Sequence, residues 1–152
     1  MSNSVKQYGF MGEYHYSLDS KGRVSLPQRL RKNLPGDTVF VITRGFDQCL
    51  LLYPHSTWQD ISEKLSQFSY IASPDNRAFI RIFLSWANEL ELDSQYRLNI
   101  PQRHLDFAHI TTESVILGLM DKIELWNPDR YQEYLSKTGA DYETIAGKIM
   151  GL

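Results

Sequence analysis

The sequence predicts an α+β fold made of two diverged copies of one short β-rich unit, fused in tandem. Three observations carry this. Displacing the chain by 74 residues without a gap aligns residues 13–55 with 87–129. Leu18, Asp19, Ser20, Arg23, Pro27, Gln28, Arg29, Thr38, Val41, Ile42, Asp47, Leu51 and Pro54 then meet identical residues, 13 matches in 43 positions. Unrelated sequence would give roughly two or three by composition. Within each copy, apolar residues alternate with polar ones over short runs, the pattern of half-buried strands. Between and after the copies the apolar spacing changes to that of helices.

Taken in order, Tyr14–Leu18 alternates as a first strand, and Asp19-Ser20-Lys21-Gly22-Arg23 follows as a turn. Asp can accept from the backbone two residues on, and Gly supplies a positive φ. Val24–Leu26 is a second strand, and Pro27 opens a short helix that Pro35-Gly36 ends. Val39–Thr43 and Cys49–Tyr53 are strands joined through Gly45-Phe46-Asp47. Trp58, Ile61, Leu65 and Phe68 then fall on one helix face, with Ser56 or Thr57 as the N-cap. Ser73-Pro74 caps a second helix carrying Phe79, Ile82, Phe83 and Trp86. The second copy repeats the strands at Asn88–Leu92, Leu98–Ile100, Ser114–Leu117 and Lys122–Trp126, with Pro101 opening its short helix and Gly118-Leu119-Met120-Asp121 as its hairpin connection. Pro128 begins a helix with Tyr131, Tyr134 and Leu135, and a last one starts near Asp141. The expected divisions are a first unit at 12–55, a helical hairpin at 56–85, a second unit at 86–129 and a C-terminal helical segment at 130–152. No linker is rich in Gly and Ser, so the copies are expected to pack together.

Composition excludes several classes. The chain has 152 residues, 42% of them hydrophobic, enough for one core. A single cysteine, Cys49, rules out an internal disulfide and suits a reducing cytoplasm. Met1–Gln7 is polar, so no signal peptide is expected, and no apolar run approaches the roughly 20 residues of a membrane span. His15, His55, His104 and His109 show no metal-ligand spacing with Cys49. No phosphate loop, nucleophile elbow or His-Glu-x-x-His motif is present. The expectation is a protein with no cofactor, no metal and no catalytic residues. Cys49 reads as a small core residue, and Trp58, Phe68, Phe79 and Trp86 as core or oligomer interface.

The stretch Leu18-Asp19-Ser20-Lys21-Gly22-Arg23-Val24-Ser25-Leu26-Pro27, with Leu50-Leu51-Leu52-Tyr53-Pro54 and Ile123-Glu124-Leu125-Trp126, resembles the MraZ family of bacterial regulators. The likeness runs from about Gly12 to Tyr134. It implies two AbrB/SpoVT-like swapped-hairpin β-barrel halves packed as a pseudo-dimer, each with an Asp-x-x-x-Arg signature. It further implies sequence-specific binding to double-stranded DNA at short direct repeats upstream of the protein's own operon, in the division and cell-wall gene cluster, by ring-shaped homo-oligomers. A cytoplasmic, nucleoid-associated protein follows from that. One departure matters: the second turn reads Asp93-Ser94-Gln95-Tyr96-Arg97, with Tyr where the first has Gly22. A positive φ is harder for Tyr, so the second turn is expected to differ in conformation.

Charge separates the copies. From Asp19 to Arg44 there are six basic residues against two acidic ones, and from Trp86 to Asp129 three against eight. Phosphates attract the first segment and repel the second, so the first copy is expected to present the DNA face. Asp19–Arg23 and Asp93–Arg97 sit at the spacing of ion pairs that brace a turn. Arg23 is assigned a dual role, bracing the turn and contacting bases or phosphate; Lys21 is a phosphate contact. Arg29 follows Pro27 and is equally readable as structural, since it recurs as Arg103; Arg31 does not recur and is the better candidate for function.

The same asymmetry suggests head-to-tail assembly, with Glu89, Glu91 and Glu113 of one subunit near basic residues of the next, Arg44 among them. Two other classes compete. One is a structural or interaction protein whose ring is its product, which uniform charge would have favoured. The other is an AbrB-like antitoxin, whose usual disordered tail this chain lacks.

Overall fold

The computed structural model describes residues 8–151 apart from Pro35, Asp37 and Ser69. Met1–Gln7 and Pro35, half of the expected helix stop, therefore lie outside the described residues. The elements run β1 (Phe10–Ser17), β2 (Arg23–Ser25), α1 (Gln28–Arg31), β3 (Val39–Arg44), β4 (Leu50–Pro54), α2 (His55–Ser66) and α3 (Pro74–Ser85). They continue with β5 (Asn88–Glu91), β6 (Arg97–Asn99), α4 (Gln102–Ala108), β7 (Glu113–Met120), β8 (Lys122–Trp126) and α5 (Pro128–Thr138). A 3-10 turn (Gly139–Asp141) leads to α6 (Tyr142–Met150). The fold is α+β with an antiparallel sheet ordered β1-β7-β8-β4-β3-β5 and a separate two-stranded ribbon, β2-β6.

The strands of the two copies are interleaved. β1 of the first copy pairs with β7 of the second, from Phe10↔Met120 to Ser17↔Glu113. β5 of the second pairs with β3 of the first, from Ile42↔Asn88 to Val39↔Glu91. The 74-residue displacement carries one register onto the other. β4 meets β8 at the centre, and β2 meets β6. Backbone groups of each copy's first strand therefore find their partners in the other copy, which satisfies them as sheet burial requires.

Burial follows the pattern of each strand. Every residue of β4 is buried, because its two faces are both covered. Leu50 and Leu52 join the main core with Phe10, Val24, Leu26, Leu30, Phe40, Ile42, Leu98, Ile100, Ile116, Ile123 and Leu125. Leu51 and Tyr53 face outward and are covered by Phe83 of α3 and Trp58 of α2. There Trp58 lies 5.6 Å from the Phe83 ring and Phe79 5.3 Å from it. Tyr131 and Tyr134 of α5 pack on Trp126, each at 5.3 Å. α6 buries none of its residues.

Several boundaries differ from the sequence expectation. α1 stops at Arg31, short of Pro35-Gly36, because Asn33 and Leu34 donate only three residues back and unwind the turn. Neither Ser56 nor Thr57 caps α2. Pro54 ends β4 and is itself the N-cap, so both residues lie inside the helix. The Ser56 hydroxyl meets Tyr8, and Thr57 Oγ1 is buried without a hydrogen-bond partner. Phe68 falls beyond the helix end and is half exposed, as is Ile82. Ser73 does cap α3, accepting from the Asp75 and Asn76 amides. The second hairpin is tighter than expected: β7 runs through Gly118 and Leu119 to Met120, which takes φ 66° beside Asp121.

Gly118 is a strand residue for a steric reason. It pairs with Gly12, and a Cβ at 118 would stand 2.6 Å from the Met11 backbone nitrogen. Gly118→Val should therefore push β1 off β7. In a urea melt we expect a loss of about 1–3 kcal/mol, the usual range for overpacking, with faster amide exchange in β1. An unchanged midpoint would show that β1 is not held this closely.

Candidate nucleic-acid interface

The two Asp-x-x-x-Arg turns are built by the same bonds. Asp19 Oδ1 accepts from the Lys21 and Arg23 amides, both at 2.9 Å, and Oδ2 accepts from Arg23 Nε at 2.6 Å. Asp93 Oδ1 accepts from the Gln95 and Arg97 amides, both at 2.8 Å, and Oδ2 from Arg97 Nε at 2.9 Å. The backbone bonds match as well: Asp19 and Asp93 each donate to the carbonyl of their own Arg, at 3.0 Å. The expectation that the second turn differs in conformation is thus corrected. Tyr96 takes φ 59° where Gly22 takes 78°. A non-glycine residue there needs support, and Arg31 supplies it. Its Nε donates to the Leu26 carbonyl at 2.8 Å and its guanidinium lies 4.6 Å from the Tyr96 ring centre. At the first turn the matching neighbour is Leu105, close against Gly22.

The β2–β6 ribbon brings both turns to one surface. Val24 and Leu98 point into the core. Arg23 pairs with Asn99 and Ser25 with Arg97, so these four share the outer face. Arg97 Nη1 also comes within 3.9 Å of Asp19 Oδ2, a contact between copies. The arginine side chains are alike in exposure, 28% for Arg23 and 26% for Arg97. What distinguishes the turns is their tips: Lys21 is exposed and has no ion-pair partner among the described residues, whereas its counterpart is Gln95.

Of the other predicted site residues, Arg29 is exposed on α1 and likewise unpaired among the described residues. Its repeat counterpart Arg103 instead lies 3.8 Å over the Trp86 ring. Identical letters in the repeat therefore stand in different surroundings. Arg44 lies at the end of β3, 4.2 Å from the Phe107 ring and 5.2 Å from Trp86. Sequence reasoning placed Trp86 with the apolar face of α3 and did not connect it with Arg103. Only the meeting of α3, β3 and α4 shows the cluster.

The acidic edge strands are partly engaged. Glu91 accepts from Thr38 at 2.7 Å and Glu113 from Ser17 at 2.9 Å, each a bond between the two copies. Cys49 is fully buried beside Val115 and Trp126, and burial pushes its thiol far above the ordinary value. His104 is buried at the position of Leu30. It donates from Nε2 to the Trp86 carbonyl at 2.7 Å, and its Nδ1 has no partner. Burial lowers its pKa, so the ring is held neutral. Among the described residues no group of three or more His, Cys, Asp and Glu could hold a metal, and no helix is long and apolar enough to cross a membrane.

Comparison with known proteins matches the family model for MraZ proteins, described as antitoxin-like, twice in tandem, at residues 10–82 and 83–148. The chain is similar to proteins named transcriptional regulator MraZ. One from Natranaerobius thermophilus is 43% identical over 93% of this chain and 96% of the relative. One from Moorella thermoacetica is 40% identical over the same shares. One from Halothermothrix orenii is 43% identical over 94% and 98%.

The turn carboxylates give a pH signature. Asp19 and Asp93 are each held below the ordinary value of 3.8, first by the amide of their own Arg, against some burial, and then by its guanidinium. A carboxylate with a depressed folded pKa stabilises the fold above its unfolded value, and that contribution is lost as pH falls through the folded one. Asp93→Asn should therefore melt below the native protein at neutral pH, with the gap closing as pH drops below about 3.8. A gap of constant size down to the acid transition would show that the charge contributes nothing.

Proposed function

This chain belongs to the MraZ family, and on that premise we propose that it is a DNA-binding transcriptional regulator. The observation that carries the reading is the β2–β6 ribbon. It sets Arg23 and Arg97 on one outer surface, with Lys21 and Arg29, which have no ion-pair partner among the described residues, beside it. A two-stranded ribbon fits the major groove. Arg23 reads bases or grips phosphate, Lys21 and Arg29 hold the backbone, and Arg31 acts mainly by bracing Tyr96 at the edge of that face. The chain needs no cofactor or catalytic residue for this work.

The finer assignments rest on the same reading. The halves at 12–55 and 86–129 are swapped-hairpin β-barrel units packed as a pseudo-dimer, consistent with the interleaved strands. The segments 56–85 and 130–152 are their attached helices. The protein forms a ring of copies, and the ring explains how a chain of net charge −2 holds DNA. Each face binds a short repeat weakly, and several faces on one ring bind an array of repeats well. Its site is the set of direct repeats upstream of its own operon in the division and cell-wall cluster, and it works in the cytoplasm at the nucleoid. A second reading, an antitoxin-like binder of a protein partner, is favoured by α6, which bares Tyr142, Ile149 and Met150.

Gel shifts on DNA from upstream of the gene test the main reading. Affinity should fall steeply between low and physiological salt; a flat response would overturn the electrostatic account. Arg23→Ala should abolish specific binding and leave a folded oligomer. Arg97→Ala should chiefly lower stability, since Arg97 braces two carboxylates. Equal loss of binding in two folded variants would show that both turns touch DNA.

Assembly has its own check. If acidic Glu89 and Glu91 steer a neighbour in head-to-tail fashion, the Glu89→Lys, Glu91→Lys variant should lose mass in light scattering at low salt. An oligomer of unchanged mass would leave the interface to the apolar helices.

A further inference from the structure

We propose that Arg44 and Arg103, held on Trp86, form a second phosphate-binding site, contributed largely by the acidic copy, which grips the DNA backbone beside the first turn. This rests on the DNA-binding reading above and extends it to residues outside the two turns.

Two guanidinium groups share one indole. The Arg103 Cζ lies 3.8 Å from the Trp86 ring centre, and the Arg44 Cζ lies 5.2 Å from it and 4.2 Å from Phe107. A guanidinium stacked on a ring keeps its N–H donors at its edge, where they remain available to an oxyanion. Neither group has an ion-pair partner among the described residues. The nearest acid on the same helix, Asp106, is taken by the Gln102 amide at 2.8 Å. Stacking also spends part of the side-chain freedom in advance, so less is lost when a ligand binds.

Position selects the ligand. The ribbon's last hydrogen bond at this end runs from the Ile100 amide to the Gly22 carbonyl at 3.0 Å, and Arg103 follows Ile100 by three residues. Leu105 of the same helix lies against Gly22. The helix that carries Arg103 therefore abuts the first turn, whose tip is Lys21. At the opposite end of the ribbon the Leu26 amide bonds the Tyr96 carbonyl at 2.8 Å, and α1 with Arg29 follows. A duplex lying along the ribbon thus meets Arg29, without an ion-pair partner among the described residues, at one end and a stacked pair beside Lys21 at the other. Phosphodiester oxygens are the groups a duplex presents at such a flank. The displacement by 74 residues carries Trp86 onto Gly12 and Arg44 onto Gly118, so the first half has no such stack and the site is particular to one side.

The test is a salt series of fluorescence anisotropy on the full-length protein, with one duplex from upstream of its gene and one unrelated duplex of equal length. For the Arg44→Gln, Arg103→Gln variant we expect weaker binding to both duplexes, with the slope of log affinity against log salt reduced by about 1.8, at roughly 0.9 per phosphate contact. Arg103→Gln alone, at an exposed position, should remove about half of that. Light scattering should show an unchanged oligomer. If the native protein binds DNA while the double variant keeps the same slope, the site is wrong and the regulator reading stands. A loss of oligomer mass at unchanged slope would mean that the pair meets carboxylates of a second copy, and would overturn the proposal too. Failure of the native protein to bind either duplex would remove the regulator reading itself.

Discussion

Everything in this fold depends on the exchange of strands between its two halves. β1 and β5 are first strands whose sheet ladders run across the repeat, to β7 and β3. Neither half could satisfy those backbone groups alone, and buried unpaired amides are costly. The core is accordingly shared: Phe10, Leu26 and Ile42 of one copy pack in a single cluster with Leu98, Ile116 and Leu125 of the other. The tie also produces the surface. Because the first strands cross over, the turns that follow them arrive at the two ends of one ribbon, and β2 can pair with β6. The 3.9 Å approach of Arg97 to Asp19 is a direct result of that pairing.

This geometry changes the meaning of the charge asymmetry. Along the chain the basic and acidic segments are separate, and the first copy alone was expected to face DNA. In space they are interleaved. Acidic Glu89 and Glu91 lie on the strand paired with β3 of the basic copy, and Arg97 sits beside Arg23 on the ribbon. Net charge per segment is a sound measure only when segments are also separate bodies, and here one sheet runs through both.

What the sequence revealed and what it hid divide along the same line. The repeat was legible because it holds one gapless register over 43 positions, and the strand positions, the Asp–Arg braces and Ser73 as a cap because each is set by residues a few places apart. Misread features depend on distant partners. Ser56 looks like an N-cap until Pro54 is seen to end a strand and begin the helix in one step. Gly118 looks like a hairpin residue, but its lack of a side chain serves β1, more than a hundred residues upstream. Tyr96 looks unfit for a positive φ, and the support for it comes from Arg31 of the other copy.

The two copies differ along the same line, because repeat-related positions meet different neighbours in the other half. Gly22 faces Leu105, whereas Tyr96 faces Arg31, so each turn keeps a filler suited to its own tip. Gly118 lets two backbones close up and Gly12 leaves room for the Tyr14 side chain, whereas the matching positions, Arg44 and Trp86, are filled by a cation and a ring. Leu30 packs as hydrocarbon, whereas His104 spends one nitrogen on the Trp86 carbonyl and leaves the other bare, and burial lowers its pKa against the pull of that bond. The Trp86 ring packs edge-to-face with His104 below and carries Arg103 above it. Changing Trp86 would therefore disturb a core residue and a surface cation together. The ribbon's two flanks are in this way unequal, although the ladder between them is symmetric about the repeat.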